Sequence, residues 1–583
     1  MDRIINVVKE RKFKYICFFW FIISLQFVIG SNMQTKGYSI QNIQDAVISI
    51  LKIIFLSMIF ISLHYSIMKL VEKIKKDKKQ VEIKEEIKKC ENQVEVKEKT
   101  KKYNWLKYFL IIIICWIPTL LAFYPAIISY DGGYQIRDYF FFGKMNHHPL
   151  LITILYTAFY QFGLRFLESP TLGMLLFSVF QMTFMALVFS YAVKFIEETD
   201  KKWLRNLSLI FYALFPYNQL FSMMTTKDVI FAGLTIIFII NLYKMLEGKY
   251  KFLDYVFLVL IGVVMLLSRN NAIFTLKVSL PFIILVLIKN KRNLIKIISI
   301  FLITIFLYQV INSALYTLRG NASSGGETND SILTLIGKVG DEGNLRLFPF
   351  SQAVAKLVNE KENELTEEEK EQITYYFKDY KELAEVYKSN IADNTAAMIN
   401  GENINSDKKE FFKFMWQLGK KYPIIFIDSF LNTARGYWYL DDNSFNRIWN
   451  KERPETMGAL ELFCLPIGTG KYSVIEDSKL PKLKEFYKAM CCQNKYEQIP
   501  VLYLLFQPAT YFYIALVNLL YSIYKRDKNK LVIAIFLFVF FASCFLACCS
   551  IVRYIYPIIV NVPIMASLAI KNENLDERKR SKV

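Results

Sequence analysis

The chain alternates between apolar runs of roughly 20 residues and shorter polar segments. A run of that length is what an α-helix needs to cross the hydrocarbon core of a bilayer. The sequence therefore predicts a mainly α, polytopic membrane protein with about 12 spans. The predicted spans cover residues 15–30, 46–68, 105–124, 171–195, 204–223, 229–246, 252–267, 272–288, 294–316, 501–524, 531–549 and 552–570.

The 583-residue chain carries a formal net charge of +20, a value that also occurs in nucleic-acid-binding proteins. Its lysines and arginines, however, lie in short clusters between the apolar runs, as the positive-inside rule expects of cytoplasmic loops. Basic segments precede the first run and follow the last one. Both termini are therefore predicted in the cytoplasm of a multi-pass cell-membrane protein, with membrane lipids and not nucleic acid as its surroundings.

The run 147–166 is also long and apolar enough to span. If it did, the basic loop with Lys201 and Lys202 would lie outside the cell, against the positive-inside rule. Placing the run in the outer interface, as a juxtamembrane helix that starts at Pro149, keeps the basic loops inside. We therefore predict an outer juxtamembrane helix here.

Apolar runs stop between residues 317 and 500, a length sufficient for a domain. Thr366 and Glu369 form a capping-box pattern that predicts a helix, a further helix is expected over 408–419, and 423–431 is amphipathic. The predicted organisation is a two-span hairpin (1–68), a charged cytoplasmic linker (69–102), a transmembrane core (103–316) with its first extracytoplasmic loop at 125–170, a mainly helical extracytoplasmic domain (317–500), C-terminal spans (501–571) and a basic cytoplasmic tail (572–583).

In this topology the polar residues nearest the spans reach the outer face. Ionisable groups at a membrane boundary need water or a partner and are therefore functional candidates. These residues are Asp131, Gln135, Asp138, His147 and His148 in the first loop, Lys227 and Asp228 before a span, Arg269 and Asn270 between two spans, and Arg553 at the start of the last span.

Each charged candidate also has a structural explanation. Acidic residues beside glycines form turns, others cap helices, and arginines near a bilayer extend to lipid headgroups. Both kinds of explanation stay open at this stage. The structural ones are a turn at Asp131, a pair with Arg137 for Asp138, a helix boundary at His147 and His148, a helix cap at Lys227 and Asp228, and headgroup contact for Arg269 and Arg553.

The loop motif Tyr-Pro-Ala-Ile-Ile-Ser-Tyr-Asp at 124–131, followed by Gln135 and Asn-His-His-Pro at 146–149, resembles an uncharacterised bacterial family of multipass proteins related to the GT-C superfamily. The strings Leu-Thr-Glu-Glu-Glu at 365–369 and Ile-Ala-Asp-Asn at 391–394 are similar to that family as well. The resemblance covers residue 105 to the C-terminus. GT-C enzymes are membrane glycosyltransferases that use polyprenyl-phosphate-linked sugars as donors.

The resemblance implies transfer of a sugar to a cell-envelope glycan, lipid or protein on the extracytoplasmic face, with inversion. Asp131 takes the position of the catalytic acidic residue in the first loop and would act as the base near the acceptor hydroxyl, but Gly132 stands where many GT-C enzymes have a second acidic residue. Asp138 or Asp228 would then supply any second carboxylate. The predicted phosphate ligands are Arg269, Lys227 and, more weakly, Arg553; the predicted substrate contacts are His147, His148, Gln135, Asp228 and Asn270.

No cofactor is predicted, although Asp131, Asp138 and Asp228 could converge on a divalent cation. The cysteines lack metal-ligand spacing. Cys464 could form a disulfide with Cys491 or Cys492, or these cysteines could be free thiols.

Two other functions fit the same pattern of spans and outer charges. One is a transporter or flippase of an anionic lipid-linked glycan, and the other a polymerase or ligase of such glycans.

Overall fold

A computed structural model describes residues 11–89, 104–143, 148–318, 347–442, 467–491, 495–499 and 501–571. Within these ranges the fold is mainly α, and its β-bridges are isolated rather than joined into strands. His147, Cys464, Cys492 and the basic tail 572–583 lie outside the described residues. Predictions that concern them therefore stay predictions.

The chain divides into two compact units, residues 1–104 and 105–583. In the first unit, helices α1 (Arg11–Lys36) and α2 (Ile43–Lys89) pack against each other. Trp20 stacks on Phe60 with ring centroids 5.1 Å apart, and Asn32 donates to Ser49 Oγ at 3.2 Å. Helix α2 continues from the second apolar run into the charged segment that the sequence assigned to a linker.

The second unit is built from helices joined by short connections. In chain order the helices are α3 Asn104–Ala122, α4 Tyr130–Phe142, α5 Leu150–Phe166, α6 Pro170–Glu197, α7 Lys202–Leu214, α8 Pro216–Phe221, α9 Lys227–Leu246, α10 Phe252–Ser268, α11 Ala272–Leu287, α12 Lys291–Leu318, α13 Phe348–Lys361, α14 Glu367–Phe377, α15 Tyr380–Glu385, α16 Asp393–Ala397, α17 Gly401–Ser406, α18 Lys408–Lys421, α19 Pro423–Thr433, α20 Arg435–Trp438, α21 Pro481–Cys491, α22 Leu502–Phe506, α23 Pro508–Lys525, α24 Lys528–Cys544 and α25 Val552–Ile570. Single 3₁₀ turns lie at Glu362–Glu364, Gly470–Tyr472 and Lys495–Gln498.

Among the described residues, seven helices are long and apolar enough to cross a membrane. This agrees with the expectation of a helical membrane protein. The seven are Lys12–Lys36, Ile43–Val71, Trp105–Ala122, Pro170–Glu197, Lys227–Leu246, Lys291–Thr317 and Val552–Ile570. Leu150–Phe166, Phe252–Ser268 and Ala272–Leu287 are shorter apolar helices.

Two of the predicted spans are not single helices. The run 204–223 breaks between α7 and α8 at Pro216, and the run 501–524 breaks between α22 and α23 at Pro508. Proline has no N–H to donate and its ring displaces the preceding turn, so the helix ends before it. The carbonyl of Phe211 accepts the Phe215 N–H at 3.1 Å and the side-chain amide of Asn218 at 2.9 Å. Tyr217 donates to the carbonyl of Phe506 at 3.2 Å, so the two breaks pack together.

Helices α13 to α19 form a helical domain with an apolar core of its own. The predicted capping box is confirmed, because Glu369 N–H donates to Thr366 Oγ1 at 3.2 Å and Thr366 N–H to Glu369 Oε2 at 2.9 Å. The helix predicted over 408–419 is confirmed as α18. The core residues include Leu357, Ile373, Phe377, Leu383, Ile404, Phe411 and Leu418.

The helical domain is fastened to the segment that leads into α25. Tyr437 donates its hydroxyl to the carbonyl of Ile551 at 3.1 Å and accepts the Ile551 N–H at 2.9 Å. Ser550 donates to the carbonyl of Thr433 at 3.2 Å. These bonds hold the end of α19 and the following helix α20 against the residues that precede Arg553.

Candidate functional site

Two distant chain segments are joined by a short backbone ladder. Ile127 N–H donates to the Met223 carbonyl at 3.2 Å, and Thr225 N–H donates to the Ile127 carbonyl at 2.9 Å. Ser129 then donates its hydroxyl to the Thr225 carbonyl at 2.6 Å and its N–H to Thr225 Oγ1 at 3.0 Å. The ladder therefore places the start of α4 beside the start of α9, where Lys227 lies.

Helix α4 approaches Thr225 too closely for any side chain at position 132. A Cβ built on Gly132 would lie 2.6 Å from Thr225 Cβ, and closer still to its carbonyl and hydroxyl oxygens. Ordinary carbon contacts are about 3.5–4.0 Å. Glycine is required there because helix α4 rests on the backbone of Thr225, which explains why a second acidic residue does not follow Asp131.

Asp131 lies at the centre of a cluster of ion pairs. Its Oδ2 atom is 2.8 Å from Arg553 Nη1 and 3.4 Å from Lys227 Nζ. Lys227 Nζ is also 2.8 Å from Nδ1 of His148. Burial alone would raise the pKa of Asp131, but the charges of Arg553 and Lys227, with His148, outweigh it and hold that pKa well below its ordinary value. Asp131 is therefore an ionised carboxylate that holds two cations.

A second buried pair lies beside the first. Arg269 contacts Oδ1 of Asp228, and Thr226 donates its hydroxyl to Oδ2 of Asp228 at 3.1 Å. The Arg269 guanidinium lies 5.3–5.6 Å from the ring centroids of Phe231, Phe540 and Tyr554. Arg269 thus pairs with Asp228, whereas Lys227 and Arg553 are the cations that contact Asp131.

The two pairs together contain more positive than negative charge. In these ion pairs three cations, Lys227, Arg269 and Arg553, contact two carboxylates, Asp131 and Asp228. An excess cation in a largely buried place favours an anionic ligand, because charge-assisted bonds strengthen where water is excluded. The cluster is therefore suited to bind a phosphate or carboxylate group.

Other predicted residues lie apart from the ion pairs or serve different contacts. Asp138 pairs with Arg137 at 3.0 Å, the structural alternative considered above. Asn270 is exposed in the turn between α10 and α11. Gln135, one turn beyond Asp131, is buried and accepts the Thr153 hydroxyl at 2.9 Å. Asp138 and Asn270 are thus not joined to Asp131 by any of these bonds.

Buried polar groups on α4 and α5 extend the site away from the charges. Gln135 Nε2, Tyr156 Oη and Thr157 Oγ1 are buried and have no hydrogen-bond partner among the described residues. The charges of Asp131 and Arg553 act on the Tyr156 hydroxyl. Buried donors and acceptors are normally satisfied, so these groups indicate a place for water or a hydroxylated ligand.

Sequence reasoning missed Tyr156 and Asp393 as site residues. Asp393 lies in the helical domain, yet the charges of Asp131 and Arg553 reach it. Its sequence signal is the string at 391–394, which resembles the GT-C-related family but indicates no role for Asp393.

Within the described ranges, no group of three or more His, Cys, Asp or Glu side chains is arranged as a metal site. Cys491 is buried at the end of α21.

The described residues form a mainly α protein with seven helices that could cross a membrane, and the cation-rich polar site lies where two of them, Lys227–Leu246 and Val552–Ile570, begin. The chain belongs to a family of unknown function, DUF6020, which matches residues 144–583. The matched stretch contains Lys227, Arg269, Asp393 and Arg553 and begins after the helix that carries Asp131. No curated protein and no solved structure matches the chain.

Proposed function

We propose that the protein is a membrane glycosyltransferase of the GT-C type, which moves a sugar from a polyprenyl-phosphate-linked donor to a cell-envelope acceptor. The observation that carries the proposal is the cluster of Asp131, Lys227 and Arg553, in which one half-buried carboxylate holds two cations. A phosphate leaving group needs such cations at the bilayer boundary. The donor is therefore a lipid phosphate ester, with reaction on the extracytoplasmic face.

The proposed topology has about 12 spans and both termini in the cytoplasm. It is supported by the charges at the opposite ends of the helices that carry the site. Glu198, after α6, lies 3.3 Å from Lys571 after α25 and 4.0 Å from Lys244 near the end of α9. These lysines share one end and the site shares the other, so the positive-inside rule assigns the site to the outer face.

In the proposed mechanism, Lys227 and Arg553 donate hydrogen bonds to the donor phosphate in place of part of their contact with Asp131. As the sugar–phosphate bond breaks, negative charge develops on the leaving oxygen, and fixed cations in a water-poor site stabilise it. Asp131 keeps the cations in place and ionised. The unpaired polar groups of Gln135 and Tyr156 would contact hydroxyls of the sugar or the acceptor.

The test is release of free polyprenyl phosphate from labelled polyprenyl-phosphate sugars by the reconstituted full-length protein. Asp131→Asn keeps the shape but removes the charge that orders both cations, and we expect it to fold and to lose turnover. Asp200→Asn is the matched control, because Asp200 is exposed and its backbone conformation, φ 58°, is one that asparagine tolerates. Undiminished release by Asp131→Asn would refute the site assignment.

One observation favours the transporter or flippase alternative. The paired breaks at Pro216 and Pro508 resemble the discontinuous helices that line transport sites. In that case the same cations would bind a lipid-linked anionic glycan and no bond would break. Release of polyprenyl phosphate separates the two functions, because only the transferase produces it.

A further inference from the structure

A short segment of the helical domain pairs with the residues that precede α25. Ala392 N–H donates to the carbonyl of Cys548 at 2.8 Å, and Ile391 forms an antiparallel bridge with Cys549. Asp393 is the next residue and begins α16. Since Arg553 follows this segment closely and pairs with Asp131, the bridge brings Asp393 to the same site.

The segment is also held from within its own domain. Gln352 donates to the carbonyl of Ile391 at 3.3 Å, and Thr395 donates its hydroxyl to Gln352 Oε1 at 2.8 Å. Ser351 lies 3.3 Å from the Thr395 hydroxyl, and all three polar side chains are buried. Buried hydrogen bonds therefore fix the turn that carries Asp393. A carboxylate that takes part in a reaction needs such a fixed position.

The bridge between Ile391 and Cys549 places Asp393 near the segment that leads into α25. The charges of Asp131 on α4 and Arg553 on α25 act on the Asp393 carboxylate, and the charge of Asp393 acts on the thiol of Cys548. Asp393 is exposed to solvent, whereas the Asp131 side chain is only 16% exposed and is bonded to two cations. A ligand that enters the site from outside can thus reach Asp393 without displacing an ion pair.

We propose that Asp393 is the base that takes the proton from the acceptor hydroxyl, while Asp131 holds the phosphate-binding cations. This inference rests on the proposed function and names the role of a residue on the helical domain. The helical domain then contributes a reacting group to the site. Asp131 positions the cations that bind the donor phosphate, and Asp393 deprotonates the acceptor hydroxyl.

The electrostatics of the two carboxylates agree with this division. Partial desolvation raises the pKa of Asp393, and the negative charge of Asp131 adds to it, while Arg553 acts in the opposite direction. Arg553 and Lys227 hold the pKa of Asp131 well below its ordinary value. A base works best when its pKa approaches the operating pH, and a pair of carboxylates with diverging pKa values indicates separate roles.

The proposed step balances as follows. The acceptor oxygen attacks the anomeric carbon and forms the new glycosidic bond, and its proton moves to the carboxylate of Asp393. The bond from the anomeric carbon to the phosphate oxygen breaks, and its electron pair leaves with polyprenyl phosphate. Lys227 and Arg553 bind that phosphate. Asp393 afterwards returns its proton to water, which its exposure allows.

The experiment compares full-length wild type, Asp393→Asn and the control Asp407→Asn, an exposed aspartate of the same domain. Transfer is measured with the donor found active in the release assay, across pH. Binding is measured with undecaprenyl phosphate in nanodiscs. We expect Asp393→Asn to lower transfer by about 100- to 10,000-fold. We also expect it to bind undecaprenyl phosphate up to about tenfold more tightly above neutral pH, where wild-type Asp393 is charged.

The outcomes separate the two hypotheses. Loss of transfer with retained or tighter binding, and an unchanged control, supports the base. Full transfer by Asp393→Asn in the presence of an active wild type overturns the base and leaves the proposed function intact. Loss of both transfer and binding also overturns it, since a base is not needed to bind phosphate. A wild type that binds but releases nothing from any donor overturns the proposed function and the base together.

Discussion

Gly132 provides the sharpest test of how the site is assembled. Gly132→Ala adds one methyl group where helix α4 rests on Thr225. The added carbon would lie 2.6 Å from Thr225 Cβ, so the two segments must separate by about 1 Å to reach an ordinary contact. The ladder between Ser129 and Thr225, with bonds of 2.6 and 3.0 Å, would then break.

The cost follows from those contacts. Two lost hydrogen bonds remove about 2 kcal/mol, and overpacking of a tight contact costs about 1–3 kcal/mol. We expect Gly132→Ala to destabilise the fold by about 3–5 kcal/mol. Because the same shift moves Asp131 away from Lys227 and Arg553, turnover should fall about 100-fold even in protein that remains folded.

The assays are thermal unfolding in detergent and release of polyprenyl phosphate. Gly419→Ala is the matched control, because a Cβ there would meet Phe426 at ordinary distances of 3.7–3.9 Å and the position is helical. It should be neutral or stabilising by up to about 1 kcal/mol. If Gly132→Ala behaved like Gly419→Ala in both assays, the close approach of α4 to Thr225 would be refuted.

Three further predictions concern charge and capping. Arg269→Met should destabilise the fold by about 3–5 kcal/mol, because it leaves Asp228 buried without its cation. The double variant with Asp228→Leu should recover much of the lost unfolding temperature. If the two substitutions lowered that temperature additively, a direct pair would be contradicted. The cations lower the pKa of Asp131 in the folded protein below its ordinary 3.8, so its ion pairs add to the free energy of unfolding. This contribution is complete above about pH 5 and is lost as the pH falls through the pKa of Asp131 in the folded state. Wild type should therefore unfold at a higher temperature than Asp131→Asn at pH 7, and the difference should vanish in strong acid; a difference independent of pH would contradict this. Thr366→Ala should cost about 1 kcal/mol and speed hydrogen exchange in α14 without affecting polyprenyl phosphate release; unchanged exchange would contradict the capping role.

The sequence predicted those features that depend on local pattern. Apolar runs predicted helices, and the spacing of Thr366 and Glu369 predicted the start of α14. The pattern of basic loops predicts that Asp131 and Lys227 lie at the same end of the spans, and their side chains are 3.4 Å apart. These signals lie within single segments, which is why they are readable from one sequence.

Other features depend on contacts between distant segments. The helix break at Pro216 had a local signal that the hydrophobic pattern outweighed. The need for glycine at 132 arises only from the ladder to Thr225, and the approach of Asp393 arises only from the bridge to Cys549. Asp138 was a reasonable second carboxylate by sequence, but its bond goes to Arg137.

The central claim is that the site of Asp131, Lys227 and Arg553 breaks a sugar–phosphate bond. The most direct test uses a donor labelled separately in the sugar and in the polyprenyl phosphate, in liposomes that contain the full-length protein. The account predicts that the labels separate, with the sugar on an acceptor and the lipid phosphate free, and that Asp131→Asn prevents this. Labels that cross the bilayer together and never separate would contradict the account and identify a transporter.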